Sequence, residues 1–208
     1  MKIIFFICTT VVLLLAQDIE NSYKFKDTWF DVPGVFKAMN LLKDSHAAII
    51  GLNDGYMTFR LGDALNKDGW LLALDYSEFV LKDMGSLLHK NYPNIALVKA
   101  DSINLSLPDS TLDAVLIVKS YYKLGITDVF LQQVKKSLKK NGRFVIIEEL
   151  HKRREYLSRD FQAKFSEISA NFVTDDLIAA GFRIQSLKNP FVEVFPWSKG
   201  NWMIVATP

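Results

Sequence analysis

Two glycines four positions apart, Gly51 and Gly55, enclose Leu52, Asn53 and Asp54. Glycine leaves room where a chain must turn sharply or let a ligand reach the backbone, and a helix beginning after Gly55 would offer its free amide groups there. Asn53 is the non-glycine residue that best tolerates left-handed backbone, though its side chain then stands in ligand space. Asp75 follows twenty-four residues after Gly51 and is placed to accept both hydroxyls of a ribose. Asp101 and Ser102 could meet the edge of an adenine. This is the chemistry of holding a nucleoside. A plainer account exists for each residue: Asn-Asp-Gly is common turn chemistry, and acids at strand ends often only cap the next helix. Their joint order is harder to explain in that way.

That order depends on the elements between them. From residue 47 onward short apolar runs alternate with helical patterns, which predicts β-α-β units and a mostly parallel sheet. Residues 47–51 read as a buried strand, 56–65 as a helix, 70–75 as a second strand and 77–90 as a helix capped by Ser77. Residues 95–100 and 112–118 read as strands three and four. The glycine loop, Asp75 and Asp101 therefore fall at the ends of three successive strands, where an open α/β sheet binds its ligands. Strand four leads into Lys119, Ser120, Tyr121 and Tyr122 at the same edge.

Over residues 127–140, Val129, Phe130, Val134 and Leu138 share one face at a 3.6-residue period, with Asn141-Gly142 as the terminator and a fifth strand over 143–149. A further helix is expected to be capped by Thr174 and closed by Gly181. Residues 182–187 and 202–206 follow as an antiparallel pair. Residues 17–46 read as a helical cover whose apolar side is Val35, Phe36, Met39, Leu41 and Leu42.

Residues 1–16 have a different character. Lys2 precedes an almost unbroken apolar run over 3–15, and Ala16 offers a small residue at a cut site. This is the pattern of a secretory signal peptide, with an uncleaved anchor as the alternative, and it predicts an exported, periplasmic or secreted protein. The run is shorter than the roughly 20 residues of a spanning helix, so no membrane span is expected in the mature chain. Cys8, the one cysteine, lies in this leader, which leaves the mature chain without disulfides or thiol chemistry. Without Lys2 the chain keeps 24 basic and 23 acidic residues, a balance that argues against nucleic acid as a partner and for a small molecule. His46, His89 and His151 stand apart with no metal-ligand spacing, so no metal is expected.

With these segments in place, the chain resembles the class I S-adenosylmethionine-dependent methyltransferases, and in particular small bacterial members that carry a leader. The resemblance lies in "AAIIGLNDGYMTFRLGDAL", "GWLLALDYSEFVL", "SLPDSTLDAVLIVKSYYKL", "LKKNGRFVIIEE", the "AAGF" helix end and the closing "NWMIVATP", together with the helix at 32–42. It implies a Rossmann-like, seven-stranded sheet with the last strand antiparallel and helices on both faces, in a domain over 47–208. It also implies S-adenosylmethionine as cofactor, with Gly51, Asn53, Asp54 and Gly55 about the methionine part, Asp75 at the ribose, and Asp101 and Ser102 at the adenine. The acceptor pocket would be built from the covering helix, the loop at 119–123 and the segment after Glu149.

Two positions depart from the family pattern: Ile49 where an acid usually orients the amino-acid end of the cofactor, and Asn53 where glycine is usual. Asp54 is one candidate to replace the lost charge. Tyr122 and Lys123 stand where the nearest members tend to have a histidine pair. Methyl transfer from a sulfonium depends on alignment more than on acids or bases, so Tyr121 or Tyr122 could align an acceptor, with Glu148 or Glu149 as a distant base. The expected activity is methyl transfer to an unknown small acceptor, and the alternative is an inactive binding protein on the same scaffold in the cell envelope. A nicotinamide-binding fold, the structural rival, needs glycines matching positions 51, 53 and 56, and only Gly51 complies. Lys152, Arg153 and Arg154 could receive an anionic substrate or form a solvated face. Phe191, Phe195, Pro196 and Trp197 could form an apolar lid or pack on the final hairpin.

Overall fold

The structure is a computed structural model, and it describes residues 23–27, 30–88, 91–101, 104–124, 127–192 and 199–208. The leader expected over residues 1–16, and His89, Ser102, Phe195, Pro196 and Trp197, lie outside the described residues. The chain forms two compact units, 1–33 and 34–208. In the first, residues 23–27 are helical, and the Phe30 N–H donates to the Lys26 carbonyl at 2.9 Å. Helix α1 (Val32–Met39) begins there and ends in the second unit.

The second unit holds one seven-stranded sheet: β1 (His46–Ile50), β2 (Trp70–Asp75), β3 (Ile95–Lys99), β4 (Leu112–Val118), β5 (Leu138–Leu150), β6 (Arg183–Lys188) and β7 (Gly200–Thr207). Their spatial order is β3-β2-β1-β4-β5-β7-β6, in which β1 pairs in parallel with β2 and β4 while β7 runs antiparallel to both β5 and β6. The expected sheet is the one found. β1 and β4 are apolar at nearly every position because they are buried on both faces, as central parallel strands are.

The helices are α2 (Tyr56–Ala64), α3 (Glu78–Leu88), α4 (Thr127–Ser137), α5 (Arg159–Ala163) and α6 (Ala170–Ala179). On one face of the sheet Phe130, Leu131 and Val134 of α4 and Val173 and Leu177 of α6 pack onto Ile117, Phe144, Ile146 and Ile204. Each such side chain, fully buried, contributes about 1.5–3 kcal/mol relative to exposure. Among the described residues no helix is long and apolar enough to cross a membrane.

Several boundaries differ from the sequence reading. α4 stops at Ser137, and Leu138 pairs with Leu112 in the sheet instead of completing the helical face. Asn141 and Gly142 therefore lie inside β5, at an irregularity where a Cβ on Gly142 would come 2.9 Å from the Lys139 carbonyl. α6 is capped by Ser169, whose hydroxyl accepts the Phe172 N–H at 3.4 Å, and Thr174 sits within the helix. Gly181, at φ +78, closes it as expected. Val35 and Met39 of α1 are buried, but Leu42 is exposed.

Candidate functional site

The loop after β1 is shaped by close approach to the end of β4. Gly51 adopts φ +82, and a Cβ there would lie 2.2 Å from the Ser120 hydroxyl, so only glycine lets the two strand ends meet. Asn53 is left-handed at φ +52. Its side-chain amide donates to the Val118 carbonyl at 2.8 Å and the Gly51 carbonyl at 3.3 Å, tying the loop to β4. Gly55, at φ +81, makes room for α3, since a Cβ would fall 2.7 Å from the Met84 sulfur. Asp54 accepts the Tyr56 N–H at 3.2 Å and so covers one of the free amides of α2.

Asp75 ends β2 and is held by two backbone amides: Oδ2 accepts from Leu52 at 2.9 Å and Oδ1 from Ser77 at 2.8 Å. A carboxylate oxygen accepts more than one hydrogen bond, so both keep capacity for a ligand hydroxyl. Beside it lies a cavity of about 320 Å³, lined by Ile50, Gly51, Asn53, Asp75, Tyr76, Ser77, Val80, Ile117, Ser120, Lys123 and Leu124. Small-molecule sites span about 300–1,000 Å³. The cavity sits at the carboxyl ends of β1, β2 and β4, where the chain leaves β1 for one side of the sheet and later returns to the other.

The strand ends expected to cooperate do so unequally. Gly51, Asn53 and Asp75 meet at the cavity, whereas Asp54 and Gly55 serve the start of α2. Asp101 is exposed and does not line the cavity, but its charge reaches Tyr76: burial first, then Asp75 and Asp101, raise that phenol above its ordinary pKa. The wall also includes Tyr76, Val80 and Leu124, which no spacing in the sequence singles out.

After β4, residues 121–123 form a tight helical turn. Tyr121 is buried and points toward α6, its hydroxyl donating to Asp176 Oδ2 at 3.0 Å, and Arg159 reaches the same oxygen at 2.6 Å. Burial, then Asp176, raises the Tyr121 phenol far above its usual value. Tyr122 packs against the core, and Lys123 lies 5.5 Å over its ring. Neither tyrosine lines the cavity.

Beneath this turn, the fully buried Glu148 accepts the Tyr121 N–H through Oε1, while Oε2 has no partner among the described residues. Burial pushes its pKa up to about 8, against the opposing pull of the backbone amides of Tyr121, Ser120 and Tyr122. The carboxyl is therefore mostly protonated at neutral pH. Glu149 pairs instead with Lys119. Ile49, where an acid was of interest, is 1% exposed and belongs to the core. Arg154 is bound to Glu167 at 3.0 Å, so the basic run at 152–154 is not wholly free.

The cavity thus fits the nucleoside half of an adenosyl ligand: Asp75 offers anchored acceptors, and Ile50, Val80 and Ile117 offer apolar walls. Known proteins point the same way. A family model described as a methyltransferase domain matches residues 49–178. A demethylmenaquinone methyltransferase of Staphylococcus carnosus is 31% identical over 114 residues, 55% of this chain and 47% of that protein. The chain therefore spans about half the length of the curated relatives it matches. Among solved structures, a SAM-dependent methyltransferase from Aquifex aeolicus superposes with a TM-score of 0.72 at 19% identity, over 92% of this chain and 97% of that one. Aeropyrum pernix fibrillarin, solved with natively bound S-adenosyl-L-methionine, does so with 0.57 at 12% identity, over 80% and 67%. At such identities the likeness is one of fold. The family match covers more than half of the sequence and includes the β1 loop, Asp75 and the β4 turn, and by it this chain belongs to the methyltransferase-domain family.

Proposed function

We propose that the chain is an S-adenosylmethionine-dependent methyltransferase acting on a small-molecule acceptor, with the cofactor in the cavity beside Asp75. The observation that carries this reading is the Asp75 carboxylate, fixed by the Leu52 and Ser77 amides at the mouth of a 320 Å³ cavity in a methyltransferase-family sheet. When bound, the cofactor supplies an electrophilic methyl group on a sulfonium.

The chain's own work is binding and alignment. Asp75 accepts the ribose hydroxyls, Ile50, Val80 and Ile117 exclude water, and Asn53 keeps the β1 loop closed on β4. Alignment of this kind can supply much of the rate of a displacement, which needs no strong base. Glu148, protonated at neutral pH, holds the β4 turn and takes no proton there. Tyr121 is committed to Asp176 and Tyr122 packs against the core, so neither tyrosine takes the acceptor-aligning role. Relatives named for demethylmenaquinone make a quinol-type ring the first acceptor to assay.

Calorimetry of the full chain with S-adenosylmethionine and its homocysteine product tests the proposal. Binding is expected, and Asp75→Ala should weaken it by about a hundredfold, the loss of two charge-assisted hydrogen bonds. Absence of heat at millimolar ligand defeats the reading. We further infer export from the apolar run at 3–15 behind Lys2. Amino-terminal sequencing of the protein from its native host should then begin at Gln17, and an intact Met1 would contradict cleavage.

A further inference from the structure

A second hollow opens on the edge of the sheet opposite the cofactor cavity. It measures about 490 Å³ and lies between the end of α1 and the ends of β5, β6 and β7. Five cations from three elements line it: Lys37 of α1, Lys140 and Arg143 of β5, and Arg183 and Lys188 of β6. No aspartate or glutamate does. Lys37, Lys140, Arg143 and Lys188 form no ion pair with an acid among the described residues, while Arg183 donates to an oxygen of Pro208 at 3.3 Å, although the chain as a whole carries nearly as many acids as bases.

Charge on β6 has an ordinary explanation, because cations on an edge strand deter pairing with other chains. That accounts for Arg183 and Lys188. It does not account for Lys37, Lys140 and Arg143, which converge on the same space from other elements. Like charges gathered in one concavity repel, and the field they make is relieved by an anion.

Arg143 is already in position: its Nη1 donates to the carbonyls of Ala38 at 3.0 Å and Lys37 at 3.3 Å, which fixes the guanidinium and leaves its other nitrogens to face a ligand. A guanidinium fork matches paired phosphate oxygens, and mobile lysines add point charges around it. The limited size of the hollow, about 490 Å³, suits a compact, multiply charged group better than the extended backbone of a nucleic acid.

We infer that this hollow binds a compact polyphosphate group, carried by a soluble phosphate ester or by a lipid headgroup. The inference does not depend on the cofactor reading, since the two cavities share no lining residue.

Titration of the full chain with inorganic tripolyphosphate at low salt tests it. Lys140 and Lys188 are exposed and form no ion pair, so Lys140→Glu with Lys188→Glu should not lower the thermal melt. The double variant should bind tripolyphosphate about tenfold or more weakly, and salt near 0.5 M should weaken the unaltered protein similarly. If it folds poorly, Lys140→Gln alone should give a smaller loss of the same sign. Asp75→Ala should bind tripolyphosphate as the unaltered chain does, which separates this result from the cofactor test. Vesicles of phosphatidylcholine with and without a bisphosphorylated inositol lipid distinguish the sources: extra binding that the double variant loses assigns the headgroup, and no extra binding assigns the soluble ester. Absence of tripolyphosphate binding at millimolar concentration overturns the inference, as does binding that the double variant retains. Tighter binding of a short RNA duplex that the variant loses also overturns it.

Discussion

At Gly51 a left-handed backbone and a hydroxyl in near contact leave no room for any side chain. Gly51→Ala should cost about 2–3 kcal/mol, combining backbone strain with displacement of Ser120. Adding Ser120→Gly should recover about half of that, leaving roughly 1 kcal/mol of strain at φ +82. Urea unfolding of the three variants checks this. Equal midpoints for the single and double variants would show that Ser120 is not what constrains the loop. The sequence pointed to Gly51 and Asp75 because their position after a strand is enough to mark them. It could not point to the roles of Asn53 and Glu148, whose partners lie 65 and 27 residues away. An amide that ties two loops looks, in one dimension, like any turn residue.

Among the elements, the segment after β5 is tied together in part by a buried acid. Glu167, 0% exposed, accepts the His151 N–H at 3.1 Å and pairs with Arg154 at 3.0 Å and Lys199 at 3.2 Å. Arg154 also stacks 4.2 Å over the ring of Phe165. Glu167→Ala should cost about 2–3 kcal/mol, less than a wholly buried pair because both cations are partly exposed. Limited proteolysis should then cut within residues 152–165 sooner than in the unaltered chain. An unchanged digestion rate would show that α5 and its neighbours are held by their other ties, among them the buried Gln162 and the Arg159–Asp176 pair, without Glu167. Strands β2 and β4 were legible to the residue because nearly continuous apolar runs end sharply at polar residues. The boundary between α4 and β5 was not: Leu138 satisfies the helical period and also the ladder with Leu112, and only the distant partner decides.

For the molecule as a whole, Glu148 sets a pH dependence. Its pKa rises from 4.5 to about 8 on folding, so between those values the folded chain keeps a proton that the unfolded chain releases. The contribution of Glu148 to stability is therefore full below about pH 4.5 and is lost as pH rises through about 8. Glu148→Gln should flatten the dependence of the unfolding midpoint on pH between about 4.5 and 8. The same slope in both proteins would place the proton elsewhere.

The sheet order has one more consequence. β7 follows the other six strands in the sequence yet lies between β5 and β6. Until residues 200–207 are in place, β5 has no neighbour on that side and β6 has none at all, so their backbone amides must stay hydrated or meet other chains. Completion of the sheet waits on that one insertion, and the folding chain is most open to aggregation just before it.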